Sequence, residues 1–240
     1  MKKQLFFLPF ALHIAAHPKT QAVNELVYQI RNPKTEAYEF RFALKKIGEY
    51  LALDVLEDLE KTETSICTLT GVETKHELSA EIPVLIPILR AGLPLNDGVA
   101  EVFRKSEIGF LAMARDEKTL KVATSYIAHP NLKDRVVIIV DTMVATGGSI
   151  LDAIERVKTY HPKKIFVIAA IASCFGMERI SSRYPEVKVF AAAVDPFLND
   201  RGYIIPGLGD AGDRAYGEKY TLTNGLDEDL KCPEENFQAN

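Results

Sequence analysis

The chain has 240 residues, 47% of them hydrophobic, and a formal net charge of −4. That length and apolar share suit one sizeable core, and the negative balance argues against a general nucleic-acid binder while leaving room for a local basic patch. Cys67, Cys174 and Cys232 are odd in number, far apart and outside any CxxC, and the five histidines form no HExxH, so neither a disulfide framework nor a transition-metal site is expected.

In chain order, Met1-Lys2-Lys3-Gln4 and the apolar stretch Leu5–Ala16 have the outline of a signal peptide, but Pro9 and His13 interrupt it. A first strand or arm used in subunit contact is the preferred reading, and with no other segment long enough to span a bilayer, cytoplasmic residence is expected. Glu36–Glu60 carries Phe40, Ala43, Leu44, Ile47, Leu51, Val55, Leu56 and Leu59 at helical spacing with no internal proline. A polar connection poor in strand signals follows. Pro83–Leu89 then reads as a short buried strand, Arg90-Ala91-Gly92 as a turn and Leu95–Arg104 as a helix. Further strands are expected at Ile108–Ala114, Val122–Ala128, Val136–Val140, Ile165–Ile171 and Val187–Ala193, with helices after the Val136 and Ile165 strands, the first over Ile150–Tyr160. Such alternation predicts an α/β fold with a mostly parallel, doubly wound sheet. Thr221–Asn240 is polar, acidic and proline-interrupted, which suits a tail.

Two segments carry most of the chemistry. Val136–Ile150 (VVIIVDTMVATGGSI) reads as a β-branched strand buried on both faces, a carboxylate at its carboxyl end, a loop of small residues and a helix. In open α/β sheets ligands bind outside the carboxyl ends of strands, so Asp141 is expected to face the substrate crevice. Ala145-Thr146-Gly147-Gly148-Ser149 has little bulk, letting backbone N–H groups converge on a phosphate at a helix N-terminus. No Lys follows the glycines, so this is no Walker loop, and no GxGxxG is present there. Gly202–Gly217 (GYIIPGLGDAGDRAYG) reads as a tightly shaped glycine-rich loop with bare backbone groups.

Taken together these segments resemble the uracil phosphoribosyltransferases, from about Asn24 to Gly217. Pro87–Leu93 (PILRAGL) matches the family's pyrophosphate loop, and Met113-Ala114-Arg115-Asp116-Glu117 is similar to its Met-Tyr-Arg-Asn-Glu segment. The resemblance implies a phosphoribosyltransferase-like fold with a C-terminal hood loop and an N-terminal helix or arm, as a single domain over residues 1–220 with a tail at 221–240. It implies that uracil and phosphoribosyl pyrophosphate give UMP and pyrophosphate, a step of pyrimidine salvage. Arg90, Arg115, Asp141, Thr142, Met143, Val144, Ala145, Thr146, Gly147, Gly148, Ser149 and Asp210 are then implied to hold phosphoribosyl pyrophosphate. Tyr203, Ile204, Gly209, Asp210 and Ala211 are implied to read uracil, largely through backbone groups, with Tyr203 packing beside the base or in the core. By the same resemblance Arg90, Asp141 and Asp210 are expected to carry the catalytic role, with Asp210 holding Mg²⁺ through water. Asp213 and Arg214 suit either a structural ion pair or a ligand contact.

The chain departs from the family at Ser125–Ala128, where Ala128 stands in place of a lysine and only Tyr126 represents a tyrosine pair. Lys121, Lys133 and Arg135 are candidates to take over that charge. The family commonly forms homodimers or larger homo-oligomers, and some members respond to GTP; neither nucleic acid nor membrane is an expected partner. A transferase for another base and a nucleotide-binding regulator are the alternatives.

Overall fold

The computed structural model describes residues 21–115 and 122–218, with side chains throughout these except at 114–115 and 122–125. The expectations for the N-terminal arm, the C-terminal tail, Lys121 and Cys232 lie outside the described residues.

Helix α1 (Gln21–Arg31) and helix α2 (Ala37–Glu57) open the fold. The 36–60 stripe is α2, which buries Phe40, Ala43, Leu44, Ile47, Leu51 and Val55 as its spacing requires. The connection that follows is not strand-poor. It holds β1 (Lys61–Cys67) and β2 (Glu73–Ser79), an antiparallel two-stranded ribbon pairing Lys61 with Ser79 and Cys67 with Glu73. Its side chains are nearly all exposed, so neither strand shows the apolar alternation by which a half-buried strand is recognised.

Six strands form the main sheet: β3 (Val84–Leu89), β4 (Phe110–Arg115), β5 (Val122–Ala128), β6 (Val136–Val144), β7 (Lys164–Ser173) and β8 (Lys188–Asp195). Their order is β5-β4-β3-β6-β7-β8, parallel throughout except for β5, which runs antiparallel to β4 at one edge. Along β6, Val136, Ile138 and Val140 face one core with Phe40, Leu44, Leu95 and Phe166, while Val137 and Ile139 face another with Ile150, Ile154 and Ile180. Both faces of the central strands are therefore covered, which is why they read as unbroken apolar runs. Helices α1, α2 and α3 (Leu93–Val102) lie on the first face, and α4 (Gly148–Lys158) and α5 (Cys174–Arg183) on the second.

Beyond β8 come two short strands, β9 (Phe197–Leu198) and β10 (Ile204–Ile205), paired antiparallel, and helix α6 (Ala211–Tyr216). The strand order reverses between β3 and β6, so the chain opens a crevice at their carboxyl ends. That topological switch point is where a doubly wound sheet binds its ligand. Among the described residues no helix is long and apolar enough to cross a membrane.

Candidate active site

Two loops flank the crevice. After β3 the chain turns through Arg90-Ala91-Gly92 into α3. At Gly92 an added Cβ would sit 2.5 Å from the Val140 carbonyl oxygen and 2.7 Å from that of Ile88, so only glycine lets this loop lie directly against β6. Thr142 ties the same contact from the other side, donating its Oγ1 hydrogen bond to the Ala91 carbonyl at 2.6 Å. The loops after β3 and β6 are thus held in one fixed relation.

Strand β6 does not end at Asp141. It runs on to Val144, pairing Asp141 with Ala169 and Val144 with Ala172, because the Thr-Met-Val that follows the acid is itself β-prone and continues the ladder. Asp141 is therefore buried within the strand rather than standing at its tip. Its Oδ1 accepts the Thr142 N–H at 2.7 Å. Burial pushes the carboxyl up to about 7, against the opposing pull of the backbone N–H groups of Thr142 and Met143. Thr142 and Val144 are more deeply buried, 0% and 1% exposed against 9% for Asp141, so any ligand contact at those two falls to backbone, while Met143, Ala145, Thr146, Gly148 and Ser149 stay partly open.

Gly147 takes the left-handed conformation, φ 76°, and caps α4, whose first N–H groups lack partners within the helix. The loop is braced from behind. Ser173 Oγ donates to the Ala145 carbonyl at 2.6 Å and accepts the Gly176 N–H at 2.8 Å, and Arg179 donates to the Thr146 carbonyl at 2.5 Å. With the Ala145 and Thr146 carbonyls turned back into the protein, the loop presents a helix N-terminus to the crevice, an arrangement able to meet an anion.

The Gly202–Gly217 segment is not loop throughout: its second half is α6, with Asp210 as N-cap accepting the Asp213 N–H at 3.0 Å. Ile204 and Ala211 are buried, Gly209 is exposed with φ 86°, and Tyr203 is 46% exposed, which removes the core reading of that tyrosine. Asp213 and Arg214 do not pair with each other. Arg214 lies over the Phe40 ring at 4.3 Å and donates to the carbonyls of Ile30 and Asn32 at the end of α1 and to that of Leu208 within the hood. Asp213 instead reaches across to the first loop, its Oδ1 3.0 Å from Arg90 Nη2.

The hood's anchor was not legible in the sequence. Arg31, the last residue of α1, grips Asp195 at the end of β8 through two bonds of 2.8 and 2.6 Å and donates a third to the Gly207 carbonyl at 2.8 Å. Asp195 also accepts the Gly207 N–H at 3.0 Å. Asp195 ends an apolar strand just as an acid was expected to at Asp141, so the same signal marks both.

Strand β4 ends on Arg115, at the same edge of the sheet as Arg90; its side chain lies outside the description. Tyr126 is exposed on β5, with Ala128 closing that strand. Lys133 and Arg135 precede β6 and so sit at the amino ends of the parallel strands, away from the crevice, where Arg135 pairs with Glu107. Among the described residues no group of three or more His, Cys, Asp or Glu could hold a metal by itself. Asp210 offers carboxylate oxygen, the donor Mg²⁺ prefers, and Mg²⁺ characteristically completes its shell with substrate phosphates and water, so this donor set fits that ion. A cleft of about 700 Å³ lined by Lys45, Lys46, Glu49, Tyr50 and Arg104 lies on the outer side of α2 and α3, apart from this chemistry.

A family model described as uracil phosphoribosyltransferase matches residues 17–218. A uracil phosphoribosyltransferase of Malacoplasma penetrans is 41% identical over 202 residues, covering 82% of this chain and 96% of the relative. That of Aquifex aeolicus is 38% identical over 201 residues, covering 84% and 95%. A solved Aquifex aeolicus structure superposes with a TM-score of 0.78 at 37% identity, covering 85% of this chain and 97% of that one.

Two outcomes follow from this geometry. Arg31→Ala leaves the buried Asp195 carboxylate with the Gly207 N–H alone, a loss of about 3 kcal/mol in denaturant unfolding; a loss below about 1 kcal/mol would contradict the anchor, that being the range of an ordinary surface pair. Asp141 keeps its proton to about pH 7 in the folded chain but releases it near about 3.9 when unfolded. Its stabilisation is complete below the lower value and is lost as pH rises to the upper one. The stability of Asp141→Asn relative to the unsubstituted protein should therefore climb between pH 4 and 7 and level off above, and parallel curves of Tm against pH would count against it.

Proposed function

The chain belongs to the uracil phosphoribosyltransferase family, and on that premise we propose that it joins uracil to phosphoribosyl pyrophosphate, giving UMP and pyrophosphate. The observation that carries the reading is the crevice at the β3/β6 switch point, flanked by one loop bearing an arginine and another bearing a helix N-terminus, and roofed by a hood rich in backbone groups. These three elements suit the three parts of the reaction: pyrophosphate, ribose 5-phosphate and base.

The 5-phosphate belongs at Ala145–Ser149, where the α4 N–H groups meet it. Asp141 lies beneath the ribose hydroxyls and accepts from them best as a carboxylate. The Arg90 guanidinium takes the pyrophosphate oxygens, together with Arg115 from the end of β4. Uracil offers acceptor, donor and acceptor along one edge. Fixed main-chain groups around Ile204, Gly209 and Ala211 can match that pattern while leaving cytosine with unpaired groups. As the N1–C1′ bond forms, the C1′–O bond to pyrophosphate breaks and uracil gives up its N1 proton to solvent; charge grows on the leaving group, and Arg90 and Arg115 are the cations assigned to it. Mg²⁺ held through water by Asp210 would add positive charge at the same place.

Self-association and residence in the cytoplasm belong to the same proposal. The exposed Ile66, Leu69, Val72 and Leu78 on the β1–β2 ribbon support the former, since an isolated two-stranded ribbon is marginal in water.

The test is an assay with phosphoribosyl pyrophosphate, Mg²⁺ and labelled uracil, with cytosine, hypoxanthine and orotate in parallel. UMP and pyrophosphate from uracil alone are expected, and product from another base instead would overturn the specificity. Arg90→Ala should lower the rate about 10²–10³-fold, the usual loss when one preorganised electrostatic contact is removed; unchanged turnover would sink its role.

A further inference from the structure

The hood is anchored four times over without Arg90. Arg31 holds Asp195 and Gly207, Asp195 accepts the Gly207 N–H, Arg214 holds the end of α1, and Arg41 donates to the Ala215 carbonyl at 2.5 Å. The Arg90–Asp213 pair adds a fifth link, and it is of a different kind. Asp195 is 6% exposed in its pair, whereas Arg90 and Asp213 are 41% and 32% exposed in theirs. The contact is end-on, from Nη2 to one carboxylate oxygen, rather than a two-pronged grip. An ion pair open to water is weak and exchangeable. It is also the link that ties up a guanidinium facing the crevice.

Resting on the function proposed above, we infer that Asp213 is a positioning residue that parks Arg90 against the hood and releases it when pyrophosphate enters. Pyrophosphate carries more charge than one carboxylate and can meet both prongs of the guanidinium, so it displaces Asp213. The latch sets a cost on that exchange, because only molecules with Arg90 unlatched offer the full site, and apparent affinity falls by that fraction. It also couples the sites: filling the pyrophosphate end releases the Asp213 carboxylate, two residues beyond Ala211 in the hood. By linkage, whatever holds Asp213 elsewhere makes Arg90 more available.

The experiment is calorimetric titration of inorganic pyrophosphate, at fixed Mg²⁺, into the full chain and its variants. Asp213→Asn and Asp213→Ser should each bind about two- to fivefold more tightly, the range an exposed pair can contribute, and Asp213→Glu should bind as the unsubstituted protein does. A gain in affinity is not what a damaged fold produces. In the Arg90→Ala background the Asp213 substitutions should change nothing; an equal gain there would assign the effect to bulk charge and overturn the latch. Unchanged or weaker binding by Asp213→Asn, in a protein whose pyrophosphate affinity does fall in Arg90→Ala, removes the latch and leaves the functional reading standing. Absence of pyrophosphate binding by the unsubstituted protein removes both.

Discussion

The crevice has a roof because Arg31 closes on Asp195. These residues are 164 positions apart, one ending the first described helix and the other the last strand of the main sheet. Between them they also take both backbone groups of Gly207, the N–H on Asp195 and the carbonyl on Arg31. A carboxylate this deep is unfavourable alone and is tolerated because its oxygens are met by a guanidinium fork and an amide. The hood's position relative to the sheet thus hangs on a charge cluster, and the small apolar set of Ile204, Leu208, Ala211 and Ala215 packs in behind it.

The floor is built on a different principle. The loop after β3 rests on strand β6 itself, Gly92 against the Val140 carbonyl and Ala91 accepting from the short Thr142 hydroxyl, so no long side chain separates it from the strand that carries the second loop. Such contacts transmit position without adjustable length. A phosphate at the α4 N-terminus and a pyrophosphate at Arg90 would accordingly be set at a spacing fixed by the sheet, the kind of preorganisation that lets positioning supply catalysis.

What could be read beforehand follows from where information sits along the chain. The central strands and α2 declare themselves because burial on two faces or one stripe forces a local pattern, and the loops at Pro87–Leu93 and Ala145–Ser149 do so because close backbone approach forces small residues. The β1–β2 ribbon has no such pattern, since almost nothing in it is buried. Helix α1 spans three turns, with Val23 and Ile30 buried and no acid in its first turn to mark a start. Asp141 and Asp195 carry the same local mark, an acid closing an apolar run, and end in opposite roles. The difference lies in Arg31, which only the folded chain brings alongside Asp195. The same holds for Asp213 and Arg214: adjacency in sequence suggested a pair, but successive helical residues point in different directions, one to Arg90 and the other to the end of α1.

The arginines of the site divide by what surrounds them. Arg31 and Arg214 are enclosed, multiply bonded to carbonyls or to a buried acid, and hold still; Arg90 is half open, singly bonded, and able to change partner. That division is what the proposed chemistry requires. A base read by main-chain groups is discriminated only if those groups cannot shift to suit the wrong partner, so the hood must be rigid. A leaving group that gains charge and then departs needs a cation that can follow it and let go. If Arg90 were bonded as closely as Arg31, to a buried acid and a carbonyl at once, it could not change partner as the leaving group came and went. Exposure at Arg90 and enclosure at Arg31 are therefore two answers to one constraint: binding energy has to be firm at the base and yielding at the leaving group.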